Sequence, residues 1–177
     1  MTRRLTALSL IVTLLGLVVF TPLSVLAQSS NNPFQDIPVT APLPGGGAFV
    51  GTLDITSFEV IGGTLTALGT LTGTFHQPGG VTTPLPPTPV TIPVTDITAN
   101  STCQVLFLTL GPIHLELLGL VLDVNEIIIR ITANPSQGIL GQLLCAIAGG
   151  FDQGLLQDVA ALLNALLRCL TTGICTF

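Results

Sequence analysis

The sequence predicts an α+β domain: a curved antiparallel β-sheet or sandwich of about six or seven strands, closed by two C-terminal helices. Between residues 49 and 132, apolar residues recur at every second position, which is typical of half-buried strands. After residue 136 they recur at every third and fourth position, which is typical of helices that bury one face. Hydrophobic residues make up 48% of a chain without Trp or Tyr, so aliphatic side chains must build the core.

The N-terminus predicts a secretory signal peptide over residues 1–27. Arg3 and Arg4 precede an apolar run over residues 5–20, and Val25-Leu26-Ala27 presents compact residues where signal peptidase cleaves. The alternative is a retained N-terminal helix that anchors an envelope protein in the membrane.

The middle of the chain predicts a leader followed by strands. Residues 28–47 are polar and then rich in Pro and Gly, so we expect a poorly ordered leader before a single domain over residues 48–177. A change of parity at Ser57-Phe58 predicts a β-bulge. Gly62-Gly63 predicts the turn of a hairpin. The Pro-rich residues 76–93 predict a crossing that cannot be a central strand.

The stretch over residues 111–133 is very apolar and raises the question of a membrane span. Charged and polar residues interrupt it, and its longest uncharged apolar run, residues 117–122, is far shorter than the roughly 20 residues that a spanning helix needs. Its apolar residues instead alternate with polar ones, which predicts strands.

The C-terminal third predicts two helices. Ser136 is a good N-cap for a helix over residues 137–148, and Gly149-Gly150 is expected to end it. Asp152 is expected to cap the second helix. The apolar stripes of the two helices comprise Leu140, Leu143, Leu144 and Ile147 in the first and Leu156, Val159, Ala160, Leu163, Leu166, Leu167 and Leu170 in the second.

The chain beyond residue 27 is strongly acidic. Only Arg130 and Arg168 remain there, against nine acidic residues, so its net charge is −7. Proteins bind nucleic acids and anionic membranes through clustered Lys and Arg. This composition therefore excludes nucleic acid as a partner.

Four cysteines follow the predicted cleavage site. An even number in an exported chain predicts two disulfides, and four cysteines permit three pairings. Their spacing fits no common zinc pattern. We favour Cys103–Cys145 and Cys169–Cys175, since a small-residue face would bring the Cys145 helix close to the sheet.

Few residues suggest chemistry. His114 and Glu116 lie two apart on a predicted strand and share one face, which makes them weak candidates for a metal site. His76 is expected to be solvated, and Asp123 with Glu126 forms a carboxylate pair that a glycosidase could use. The chain has no Gly-x-Ser-x-Gly elbow and no lysine, so we assign no catalytic residues, no cofactor and no enzymatic activity.

Three stretches together resemble a largely uncharacterised family of small exported bacterial proteins. They are GTLTALGTLTG at residues 63–73, CQVLFLTLGPIHLELLGLVLDVN at 103–125 and GILGQLLCAIAGGFD at 138–152. The resemblance covers roughly residues 48–152 and supports a bond between Cys103 and Cys145. Some members are labelled transporter substrate-binding proteins. About 150 residues cannot form a two-lobed solute-binding protein, so the resemblance implies a fold and a compartment but no activity.

These observations predict an exported non-enzymatic module that is secreted or held in the extracytoplasmic cell envelope. It is expected to be structural or to bind an apolar small molecule between the sheet and the helices. A cell-surface protein is the other candidate partner. The alternatives are an enzyme or metal-binding protein of unknown type and an envelope protein anchored by its N-terminal helix.

Overall fold

The computed structural model describes residues 32–117, 120–133 and 138–172. The predicted signal peptide, residues 1–27, and residues 28–31 lie outside the described part of the chain. The described elements, in chain order, are β1 (Ile37–Pro42), β2 (Ala48–Ile61), β3 (Thr64–His76), β4 (Thr82–Ala99), β5 (Val105–Leu110), β6 (Ile113–Leu117), β7 (Leu120–Val124), β8 (Ile127–Thr132), α1 (Gly138–Asp152) and α2 (Leu156–Thr172).

The strands form one large sheet and one small one. The large sheet has six strands in the order β1-β2-β3-β4-β5-β8, and every neighbouring pair is antiparallel. It curves into a half-barrel, while β6 and β7 pair with each other as a separate hairpin. With the two C-terminal helices, this architecture confirms the predicted α+β class.

The β2–β3 hairpin follows the sequence prediction closely. Gly62 and Gly63 form its turn with φ angles of +60° and +82°, a backbone conformation that glycine adopts without strain. The register pairs Ile61 with Thr64 and shifts between Ile55 and Ser57. This shift is a β-bulge next to the predicted position, and it keeps the apolar residues on the inner face on both sides of it.

Strands β2 and β3 approach each other closely at one pair of glycines. Gly51 pairs with Gly73, and the ring of Phe49 lies over both. A Cβ atom at Gly73 would lie 2.5 Å from Phe49 Cζ, so a larger residue cannot be accommodated there without displacing the ring. Glycine at both positions therefore allows the two strands and the Phe49 ring to lie close together.

Strand β1 lies in the segment predicted as a poorly ordered leader, residues 28–47. It pairs with β2, and its residues Val39 and Ala41 are buried in the core. Phe34, just before β1, is fully buried with its ring edge against Phe58, 5.6 Å between centroids. Prolines and glycines flank the short alternation of apolar and polar residues in β1, so the sequence pattern did not indicate a strand there.

Strand β4 corrects the expectation that the Pro-rich residues 76–93 are only a crossing. Residues 82–93 pair with β3, whereas residues 94–99 pair with β5. The prolines of β4 therefore lie where it has only one strand neighbour, and a missing N–H leaves no partner unsatisfied on the open side. They are Pro84, Pro86, Pro87, Pro89 and Pro93.

Helix α1 extends further than predicted. It passes through Gly149-Gly150 and ends after Asp152, which is therefore a residue of α1 and not the cap of α2. The chain leaves the helical conformation at Gly154, which has φ +74°. Beyond it, the N–H of Leu155 donates to the carbonyl of Gly150 at 2.8 Å. The predicted N-cap Ser136 lies outside the described residues.

The core lies between the concave face of the large sheet and a layer formed by α1, α2 and the β6–β7 hairpin. Helix α2 packs on β2 and β3, α1 packs on β4 and β5, and β7 contacts β1. Among the described residues, no helix is both long and apolar enough to cross a membrane. The largest fully buried side chains are Phe34, Phe49, Phe58, Leu53, Leu65, Leu71, Ile92, Ile97, Leu106, Leu108, Leu110 and Leu122.

Candidate functional site: a cross-linked turn and an exposed histidine hairpin

A disulfide joins the sheet to the helical layer. Cys103, in the turn between β4 and β5, is bonded to Cys145 on α1, with 5.3 Å between their Cα atoms. This confirms the first predicted pair. The bond is compatible with an extracytoplasmic location, since disulfides persist in oxidising compartments.

The turn that presents Cys103 is held by Asn100. The Asn100 side-chain oxygen accepts the Val105 N–H at 2.9 Å, and its amide donates to Thr102 Oγ1 at 2.8 Å. The N–H of Cys103 donates to the Asn100 carbonyl, and Cys103 itself has φ +52°. Asn100 therefore has a structural role, because it holds the turn that orients Cys103 toward α1.

The second predicted pair, Cys169–Cys175, is only partly described. Cys169 is buried on α2 and is disulfide-bonded. Cys175 lies outside the described residues.

The two metal candidates, His114 and Glu116, lie on the exposed face of the β6–β7 hairpin. Ile113, Leu122 and Val124 point into the core from this hairpin, so the residues between them point to solvent. The register places His114 directly opposite Asp123, a residue that the sequence analysis considered only together with Glu126. The described side-chain contact of Asp123 is with His114 and not with Glu126.

His114 contacts two carboxylates, one at each ring nitrogen. Its Nδ1 lies 2.5 Å from Asp123 Oδ1, and its Nε2 lies 3.5 Å from Glu116 Oε1. The hydrogen bond with Asp123, aided by its charge and by Glu116, raises the pKa of His114 above 6.5. All three side chains are more than 60% exposed, so solvent screens these interactions.

The three side chains of this cluster are not gathered around one point. The two carboxylates approach opposite edges of the imidazole, so their oxygens do not converge with one ring nitrogen on a common point. Within the described ranges, no group of three or more His, Cys, Asp or Glu side chains is arranged to hold a metal ion. His76, the other histidine, is exposed at the end of β3.

Two surface clefts formed by described residues border the large sheet. One, of about 260 Å³, lies between residues 33–38 and residues 128–130 of β8. The other, of about 310 Å³, lies between the β2 bulge and α2 and is bordered by Arg168. In the second cleft, the Asn164 side chain accepts the Phe58 N–H at 2.8 Å and donates to the Phe58 carbonyl at 2.7 Å, which fixes the bulge to the helix.

Comparisons of the chain with models of protein families, with curated proteins and with solved structures find no match. The resemblance to small exported bacterial proteins therefore stays a prediction.

Proposed function

We propose that this protein is an exported, non-enzymatic structural module that acts through its surface. The observation that carries the proposal is the covalent link between the sheet and the helices. The Cys103–Cys145 disulfide joins α1 to the β4–β5 turn. A cross-link of this kind stabilises a small domain outside the cytoplasm, where chaperones and reducing systems do not maintain it.

Packing beneath the helices favours the structural form of this proposal over an apolar ligand held there. Leu144 and Ile147 of α1, and Val159 and Leu163 of α2, are all fully buried, at 0% exposure. They belong to one continuous core with the inner face of the sheet. The chain's own side chains thus occupy the positions that a bound lipid-like molecule would need.

The surface chemistry favours a non-enzymatic role. The histidine–carboxylate cluster of the described residues lies on an exposed hairpin and borders neither of the two clefts. A catalytic base works best in a partly desolvated site that holds the substrate next to it. His114 has no such surroundings.

Intact and native mass spectrometry on protein purified from its own host tests this proposal. We expect each protomer to begin at Gln28, to carry its disulfides and to hold no small-molecule adduct under native conditions. A chain that still begins at Met1 contradicts export with cleavage and supports the anchored alternative. An adduct that is lost on denaturation contradicts the purely structural role and supports an apolar ligand.

Substitution of the hairpin cluster tests the metal-binding alternative. His114→Ala and Glu116→Ala are compared with His76→Ala, which removes an exposed histidine elsewhere. We expect all three variants to retain the metal content and melting temperature of the parent, within the small effects of surface changes. Bound metal that is lost only in the hairpin variants contradicts the proposal.

A further inference from the structure

The outer edge of strand β8 lacks a strand partner within the described residues. β8 is the last strand of the large sheet and pairs only with β5. Residues 33–38 face this edge across a cleft of about 260 Å³, and the described residues of β1 do not pair with β8. An open edge of this kind is a template for pairing with another strand.

The backbone groups available at this edge follow from the β5–β8 hydrogen bonds. The N–H of Ala133 donates to the Gln104 carbonyl at 2.8 Å, so Ala133 directs its backbone groups toward β5. Successive residues of an antiparallel strand alternate in this direction. Ile128 and Arg130 therefore direct their N–H and C=O groups away from β5, toward the open edge.

The same residues present a self-complementary surface on the outer face. Ile128 is 60% exposed, and Glu126 and Arg130, two residues to either side of it, are exposed as well. Arg130 lies over the ring of Phe107, 5.9 Å from its centroid. Within the described part of the chain, neither Glu126 nor Arg130 forms an ion pair.

We propose that two copies of this chain associate by antiparallel pairing of their β8 strands about a two-fold axis at Ile128. This register places Ile128 opposite Ile128 of the second copy and Glu126 opposite Arg130, twice by symmetry. The outward backbone groups of Ile128 and Arg130 are available for hydrogen bonds across the two-fold axis, and Glu126 directly precedes β8. Opposite charges that face each other directly across strands stabilise such a pair.

Charge complementarity selects this register over its neighbour. A two-fold axis at Ile129 also satisfies the outward backbone groups, but it places Ile128 opposite Arg130 and Glu126 opposite Thr132. In that second register, neither Glu126 nor Arg130 faces an opposite charge. Pairing of one short strand buries less than about 1,200 Å², so we expect a dissociation constant on the order of 10–100 μM.

Charge reversal tests the interface. Sedimentation velocity across about 5–500 μM compares the parent with Arg130→Glu, Glu126→Arg and the double variant E126R/R130E. Each single reversal places like charges opposite at two symmetric positions, so we expect about tenfold weaker dimerisation or more. The double variant exchanges the charges without altering the net charge and is expected to restore dimerisation.

Arg168→Glu is the matched control, because it makes the same charge change as Arg130→Glu on exposed α2. It is expected to leave dimerisation unaltered. Circular dichroism and melting confirm that each variant is folded. A parent that stays monomeric at about 500 μM overturns the proposal, as do single reversals without effect or a double variant that fails to recover.

Cross-linking tests the register. Hydrogen-bonded antiparallel partners have Cα atoms about 5.5 Å apart, which suits a disulfide. We expect Ile128→Cys to form a covalent dimer under mild oxidation, located by peptide mapping. Thr98→Cys, exposed on the same face two strands away, is expected not to cross-link. A dimeric parent without the Ile128→Cys cross-link means that the copies meet elsewhere, which overturns the β8 interface.

Discussion

Removal of the Cys103–Cys145 disulfide tests how strongly the helical layer is held on the sheet. The two cysteines are 42 residues apart, so the chain-entropy model gives a stabilisation of about 4 kcal/mol. Cys145 is exposed and Cys103 is half-buried, so alanine at either position removes little packing. We expect Cys103→Ala/Cys145→Ala to lose about 4 kcal/mol in free energy of unfolding and about 10 °C in melting temperature.

Urea unfolding, monitored by circular dichroism, measures this loss. Because either single substitution breaks the same bond, Cys103→Ala and Cys145→Ala should each lose about as much as the double variant. Ala146→Ser, an exposed change on the same helix, is the control for local effects on α1. A double variant that loses less than about 1 kcal/mol, or twice as much as either single variant, would refute the reasoning.

Four further substitutions test local interactions. Asn164→Ala removes both side-chain hydrogen bonds to the β2 bulge and should cost about 2–3 kcal/mol in urea unfolding, whereas an unchanged midpoint contradicts that role. Gly73→Ala should lower the free energy of unfolding by more than about 2 kcal/mol, because a Cβ atom at this position has no room. Gly149→Ala, in open space on α1, should raise the free energy of unfolding by about 0.5–1 kcal/mol. Equal effects of the two substitutions would contradict the packing argument. Asp123→Asn should lower the pKa of His114 toward 6.5 in an NMR titration. The pKa of His114 is higher in the folded protein than in the unfolded chain. The stabilisation by this ion pair is therefore present below about pH 6.5 and is lost as the pH rises through the folded pKa. A His114 titration that Asp123→Asn leaves unchanged would contradict the contact.

Elements with strong local signals could be predicted from the sequence. Gly62-Gly63 marks the β2–β3 turn because the geometry of that turn requires positive φ at both positions. Buried residues of α2 such as Val159 and Leu163 follow the helical period. In both places one short stretch of sequence contains the whole physical cause.

Strands whose environment depends on distant partners could not be predicted in the same way. Proline-rich residues 82–93 form a strand because β5 pairs only with the later part of β4, a fact of topology. Likewise, β1 exists because β2 is long enough to pair on its outer side with residues 37–42. Local propensity alone disfavours both segments.

The candidate site shows the same limit. His114 and Glu116 share a face by simple alternation, and the sequence predicts that. Their contact with Asp123 depends on the hairpin register, which pairs Leu117 with Leu120 and so places position 114 opposite position 123. A register that pairs Leu117 with Leu120 has to be known before this contact can be predicted.

The two edges of the large sheet differ in a way that bears on self-association. Strand β1 carries Pro38 and Pro42, and proline interrupts the backbone donors that a second strand needs. Strand β8 has no proline and no lysine, and its Ile127-Ile128-Ile129 run has high strand propensity. Proteins that remain monomeric commonly protect both edges of a sheet. Protection of β1 alone is therefore consistent with an edge at β8 that pairs with a second copy.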